Sequence, residues 1–231
     1  PINITKPVHF LDGLFYFQPV CFDYKLNILK KISLNKYFIV HKPFNVLSQF
    51  TPTDNKKSLK DFFDVPKDVY PVGRLDYDSE GLLILTNDKK LNHYLLNPLH
   101  AHERAYWVQV EGDNTANAIA ELQQGVPINI DGKIYQTKKC KVVKFIVGPN
   151  VSERNPPIRM RKTIPDSWIK IILQEGKNRQ VRRMTAKVGF PTLRLIRFRI
   201  EKVNLDHLRP GEMKILTQTE LYNLLQIKKD K

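Results

Sequence analysis

Residues 73–88 read GRLDYDSEGLLILTND, and further along residues 173–191 read LQEGKNRQVRRMTAKVGFP. Gly73 to Ser79 is rich in turn formers and acids, and Leu82–Thr86 then runs apolar, as a short buried strand does. Asp76 therefore sits in a turn just ahead of a core strand. In the second stretch Trp168–Leu173 reads as a strand and Asn178–Val188 as a helix stopped by Gly189. Lys177, Arg179, Arg182 and Arg183 fall at the mouth of that helix. Its free N–H groups and dipole attract anions. Cations gain nothing from the dipole there, so their placement implies a use. An acid ahead of a core strand and a basic helix start together suggest chemistry on a polyanion.

The charge agrees. The 231-residue chain carries a net +15, and residues 152–214 hold 16 Lys and Arg against 6 Asp and Glu. Those arginines alternate with apolar residues on an expected helix and strands (Arg194–Ile200 is one), which favours a folded nucleic-acid surface over a solvated face or a membrane surface. Hydrophobic residues at 42% and charged residues at 26% describe a globular chain. No apolar run is long enough to span a membrane, and 9–22 lacks the basic leader of a secretory signal. Cys21 and Cys140 are too few for a disulfide framework or a zinc site, which points to a reducing, cytoplasmic setting.

Working outward, YFIVHKPF from Tyr37 is a strand stopped by Pro43. A short helix over 88–96 ends at Asn97-Pro98. Ala105–Glu111 alternates as a strand, and Ala116–Gln124 is a helix stopped by Gly125. Strand-like pieces follow at 126–130, 133–136 and 139–147, and then a proline-bearing loop over 148–166. The sum is an α+β fold. Three segments are expected: an N-terminal extension at 1–36, a catalytic domain at 37–216, and a basic C-terminal tail or helix at 217–231. Tyr106 and Trp107 alternate to opposite faces of their strand, so one is core and the other faces a cleft, where an aromatic can stack on an unpaired base. The scattered histidines complete no metal site, and no Walker loop, dinucleotide fingerprint or nucleophile elbow is present.

GRLDYDSEGLLILTND, ERAYWVQVEG and LQEGKNRQVRRM resemble, in order and spacing, the RsuA/RluB/RluE family of ribosomal-RNA pseudouridine synthases. The run at 155–197 is most similar to the RluE branch, which modifies large-subunit rRNA. The resemblance implies a central, largely antiparallel mixed sheet with flanking short helices and an active-site cleft. It implies isomerisation of a uridine in large-subunit (23S) rRNA, with no metal or organic cofactor. By it Asp76 is the catalytic aspartate, which either attacks C1′ or removes a ribose proton. Tyr106 stacks on the flipped-out base and helps remove the C5 proton, and Arg182 pairs with Asp76. Arg74, Lys177, Asn178, Arg179, Gln180 and Arg183 face the RNA. A monomer acting on ribosomal RNA, away from any membrane, is the expected state.

The chain departs from the family pattern in Lys89, where many relatives have Gly, and in Ala105, where Thr is frequent. Residues 1–36 do not read as the small S4 RNA-binding domain of many relatives, so the 148–166 loop is expected to share in RNA selection. Other readings are a synthase acting on small-subunit rRNA or another RNA, a non-catalytic basic RNA-binding protein, a DNA-binding module and a hydrolase. The RNA binder gives Asp76 no purpose. The DNA module lacks a helix-turn-helix or finger spacing, and in the hydrolase Asp78 and Glu80 have no obvious role.

Overall fold

The computed structural model describes residues 35–227, apart from 159, 160 and 162. The N-terminal extension expected over 1–36 therefore lies almost wholly outside the described residues. The strands are β1 (Tyr37–Lys42), β2 (Tyr70–Pro71), β3 (Glu80–Thr86), β4 (Arg104–Glu111), β5 (Pro127–Ile130), β6 (Lys133–Gln136), β7 (Lys141–Lys144), β8 (Asp166–Leu173), β9 (Thr192–Ile200), β10 (Val203–Asn204) and β11 (Met213–Leu216). The α-helices are α1 (Lys89–Leu96), α2 (Ala116–Gln124), α3 (Gln180–Lys187) and α4 (Gln218–Leu224). Nine strands make one mixed sheet in the path β11-β1-β3-β9-β4-β8-β7, with β2 on β3 and β10 on β9, and β5 and β6 form a separate hairpin. This is the α+β, largely antiparallel sheet with short flanking helices that the family resemblance implies.

The central strands are buried on both faces, and their alternation divides the core in two. Tyr37, Ile39, Leu82 and Ile84 pack with Leu91 and Leu95 of α1 and Leu221 of α4. Phe38, Val40, Leu83 and Leu85 pack with Leu59 and Phe63 on the other side. A third cluster joins β4 and β8 to Leu122 of α2 and to Val181 and Met184 of α3. No helix among the described residues is long and apolar enough to cross a membrane.

The β3–β9 pair is parallel, Glu80 opposite Ile196 and Gly81 opposite Arg197, while every other pair in this sheet is antiparallel. The two strands thus start at the same edge of the sheet. The turn ahead of β3 and the helix ahead of β9 meet there. Gly81 makes this pairing possible: its φ is +114°, and a Cβ would lie 2.3 Å from the Arg197 carbonyl oxygen.

Some boundaries differ from the sequence reading. β3 begins at Glu80 rather than Leu82 because Glu80 is buried in an ion pair with Arg194. α3 begins at Gln180 rather than Asn178 because Arg179 is left-handed, at φ 51° and ψ 31°. The strand expected over 139–147 is only Lys141–Lys144. It is an edge strand, and Ile146 and Val147 beyond it are exposed. The segment expected as a basic tail or helix from 217 starts with α4. That helix is fixed by a Thr217–Glu220 capping box and by buried Leu221 and Leu225.

Candidate active site

The turn Asp76-Tyr77-Asp78-Ser79 closes with the Ser79 amide donating to the Asp76 carbonyl at 3.0 Å. Leu75 ahead of it is buried, Arg74 is exposed, and the Asp76 and Asp78 side chains are about one-third exposed. Two groups hold the turn from below. Ser48 Oγ donates to the Leu75 carbonyl at 2.7 Å and accepts from the Leu75 amide at 3.0 Å. Lys42, wholly buried at the end of β1, sends its ammonium to the carbonyls of Pro43 (2.9 Å), Val46 (2.7 Å) and Tyr77 (3.4 Å). Burial pushes the Lys42 pKa down to about 7, while the carboxylates of Glu80, Asp78 and Asp76 pull it up.

Arginines from the start of α3 close over the turn. Arg179 grips Asp78 with two hydrogen bonds of 2.8 Å and lies 3.8 Å from Asp76 Oδ2. Arg182 donates through Nη2 to the Asp78 carbonyl at 2.6 Å and sets Nε 3.4 Å from its carboxylate. Burial pushes the Asp78 carboxyl upward. The bonds and charges of Arg179 and Arg182 outweigh this and hold it below the usual range. Burial also lowers the Arg182 pKa, whereas the Asp78 bond raises that of Arg179. Among the described residues nothing donates a hydrogen bond to the Asp76 carboxylate. One acid locks the arginines and the other keeps its oxygens open.

The sequence expects Arg182 to pair with Asp76. Arg179 is the arginine within ionic distance of Asp76, at 3.8 Å, while Arg182 engages the carbonyl and carboxylate of Asp78. Gln180, expected to face RNA, is buried, accepts from the Lys177 amide at 2.9 Å and donates to Glu175 at 2.6 Å, bonds that shape the turn before α3. Arg183 donates to the Asn129 carbonyl and ties α3 to the β5–β6 hairpin. Lys177, over the Tyr135 ring at 4.8 Å, and Asn178 are exposed, as is Arg74.

Tyr106 sits on β4, opposite Arg197 on β9 and Ile171 on β8, and is 9% exposed. It belongs to the same core cluster as Val181 and Met184 of the helix that carries the arginines. Trp107, on the other face, stacks on Phe198 at 4.4 Å. Arg197 is buried and donates through Nε to the Leu82 carbonyl at 2.9 Å, and burial lowers its pKa.

Lys42 and Ser48 are not singled out in the sequence reading, and Asp78, Glu80 and Arg194 appear there without a role in the site. A lysine closing the apolar strand YFIVHK and a glutamate opening EGLLILT were the available signals, each a charge where the core pattern leaves no room for one. Among the described residues no three His, Cys, Asp or Glu side chains converge as a metal site would require.

Fold and turn together define an enzyme-like centre, one acid presented against basic side chains at a sheet edge. The chain belongs to the RNA pseudouridylate synthase family, which it matches over residues 36–187. It is 47% identical over 179 residues to a ribosomal large subunit pseudouridine synthase E of Vibrio parahaemolyticus, covering 78% of this chain and 73% of that one. A protein of the same name from Xanthomonas campestris is 46% identical, covering 77% and 93%. A ribosomal large subunit pseudouridine synthase B of Bacillus subtilis is 32% identical, covering 81% and 70%. A crystal structure of a pseudouridylate synthase superposes with a TM-score of 0.68 at 27% identity, covering 84% and 75%.

Proposed function

We propose that this protein isomerises one uridine of large-subunit ribosomal RNA to pseudouridine, with Asp76 as its catalytic carboxylate. The observation that carries the assignment is the division of labour in the turn. Asp78 absorbs the short arginine bonds, and Asp76 stays within 3.8 Å of a guanidinium with no hydrogen bond on its carboxylate oxygens among the described residues. A group that must attack C1′ or withdraw a ribose proton needs an open lone pair and a nearby positive charge to orient it.

The reaction breaks the N1–C1′ bond, turns the uracil and forms a C5–C1′ bond; the C5 proton is then lost and N1 takes up a proton, so the product is an isomer of the substrate. Electrons and atoms balance without an oxidant or reductant, so the reading calls for no redox cofactor. The target base must leave its stack, at a cost of roughly a few kcal/mol that contacts in the cleft offset. Tyr106 is assigned to the base, stacking on it and helping to remove the C5 proton. Arg74, Lys177 and Asn178, all exposed, are assigned to the RNA backbone, and the 148–166 loop to RNA selection. The reading is of a monomer working in the cytoplasm.

The test is a map of pseudouridines in rRNA from cells with and without the gene, complemented by wild type or Asp76→Asn. Loss of one large-subunit pseudouridine, restored by wild type alone, supports the reading. The variant should bind RNA as wild type does while its kcat falls at least about a thousand-fold. A map that does not change without the gene would overturn it.

A further inference from the structure

Phe44 and Arg154 form a pair that the chemistry at Asp76 does not use. Phe44 lies in the loop after β1, and both ends of that loop are bonded to the catalytic turn, Lys42 to the Tyr77 carbonyl and Ser48 to Leu75. Arg154 comes from the 148–166 loop. Its guanidinium centre stands 4.1 Å from the centroid of the Phe44 ring. The guanidinium donates through Nε to the Pro156 carbonyl (2.9 Å), through Nη2 to that of Pro157 (3.1 Å) and through Nη1 to that of Leu193 (3.4 Å).

Leu193 is the second residue of β9, at the edge of the sheet where β3 also begins, so the pair stands at the same edge as Asp76. The neighbouring Arg194 donates to the Ser152 carbonyl at 2.9 Å and fastens the loop that carries Arg154.

Two features of the pair are unlike a structural staple. Arg154 has no carboxylate within ion-pair distance among the described residues, so backbone carbonyls and the Phe44 ring are what hold its charge. Its donors lie in one plane, and three backbone carbonyls in its own loop and β9 already take donors there. The contact it can still make over a large area is through a face, as the ring of Phe44 already does on one side. Burial lowers the Arg154 pKa and the charge of Arg194 lowers it further, while Glu80 opposes them. Arg182 also feels the Arg154 charge, which sets the pair within the field of the α3 arginines. A planar cation seated on an aromatic ring, half-buried beside a site for an unstacked nucleotide, is suited to a nucleobase.

We propose that Phe44 and Arg154 form a stacking platform for the base next to the target uridine, holding the RNA strand open while that uridine is turned. This rests on the proposed RNA substrate. A stacking face reads area rather than hydrogen-bond pattern, so the platform favours a purine at that position.

The probe is a short RNA hairpin spanning the uridine mapped by the experiment above, intact or with one abasic nucleotide placed either 5′ or 3′ of the target. Binding and turnover are measured for wild type, Phe44→Leu, Phe44→Trp and Arg154→Lys. Phe44→Leu and Arg154→Lys should weaken binding of the intact hairpin about 5–50-fold, raising KM with little change in kcat. Phe44→Trp, which keeps a ring, should bind at least as well as wild type. On the hairpin that lacks the stacked base, wild type and Phe44→Leu should bind alike.

An equal loss on intact and abasic hairpins, or none on either, overturns the proposal. So does Phe44→Trp behaving like Phe44→Leu. Should Phe44→Leu not fold, wild type and Phe44→Trp on the intact and abasic hairpins still decide it: neither abasic hairpin binding more weakly than the intact one overturns it. Wild-type turnover of the intact hairpin is read separately, so failure of the platform is not confused with failure of the synthase assignment.

Discussion

Asp76 and Asp78 stand two positions apart in one turn, yet only Asp78 takes short bonds from arginine. If Asp78 is the lock, Asp78→Asn releases Arg179 and Arg182 and leaves Asp76 without an oriented cation. The expected result is a fall in kcat of about 10–100-fold with RNA affinity nearly kept, read by single-turnover kinetics. Stability should follow suit. The folded Asp78 pKa lies below the ordinary 3.8, so its contribution is present above that value and is lost as pH falls through the folded one. The melting difference between wild type and variant should therefore shrink on acidification below about pH 4.

Lys42 gives the same sign in a window nearer neutral and alkaline pH. Its pKa is about 7 in the fold against an ordinary 10.5. Between these the unfolded chain binds more protons, and stability rises with pH. Wild type should gain on Lys42→Met from about pH 7 to about pH 9, and a flat or falling difference in melting temperature would show that Lys42 keeps its proton. Neither role was legible in the sequence. Asp78 lies among several bases that could pair in many ways, and the left-handed Arg179 that decides the pairing carries no glycine to announce it. The partners of Lys42 are backbone carbonyls, which no side-chain pattern reveals.

The elements themselves were easier to read. Pro43, Asn97-Pro98, Gly125 and Gly189 punctuate the chain where strands and helices do end, and the buried strands follow from their unbroken apolar runs. What escaped was the charge inside them. Arg194 meets Glu80 through two bonds of 2.9 and 2.7 Å, and both side chains are almost wholly buried. Such a pair roughly breaks even as long as both partners are present, whereas removing one strands the other charge in the core. Glu80→Gln should cost about 3–5 kcal/mol in urea denaturation. Glu80→Leu with Arg194→Met should recover most of that loss. Modification should still suffer in the double variant, because Arg194 also holds Ser152 and with it the 148–166 loop. A double variant as unstable as the single one would mean the pair does more than compensate its own burial.

At the scale of the molecule, an α+β class was legible but the strand order was not. The parallel pair of the nine-stranded sheet, β3 on β9, depends on Gly81 and Arg197, far apart in the chain, and it is what brings the acid turn and the basic helix to one edge. The same distinction governs the charge. The 16 Lys and Arg of residues 152–214 suggest a large anion-binding surface, but the fold commits several of them. Arg179 and Arg182 hold Asp78, Arg194 holds Glu80, and Arg199 holds Glu103. RNA can release counterions only through cations that reach it, so the salt dependence of binding should reflect the exposed subset rather than the total. For a single strand each phosphate neutralised contributes about −0.7 to the slope of log affinity against log salt. Lys177, exposed and without a carboxylate partner among the described residues, should lose about one such unit on Lys177→Ala, across roughly 50–200 mM salt. The Glu80→Leu, Arg194→Met double variant removes one charge of each sign from the interior, so its slope should match wild type. If the two variants changed the slope equally, the division between committed and available charge would be wrong.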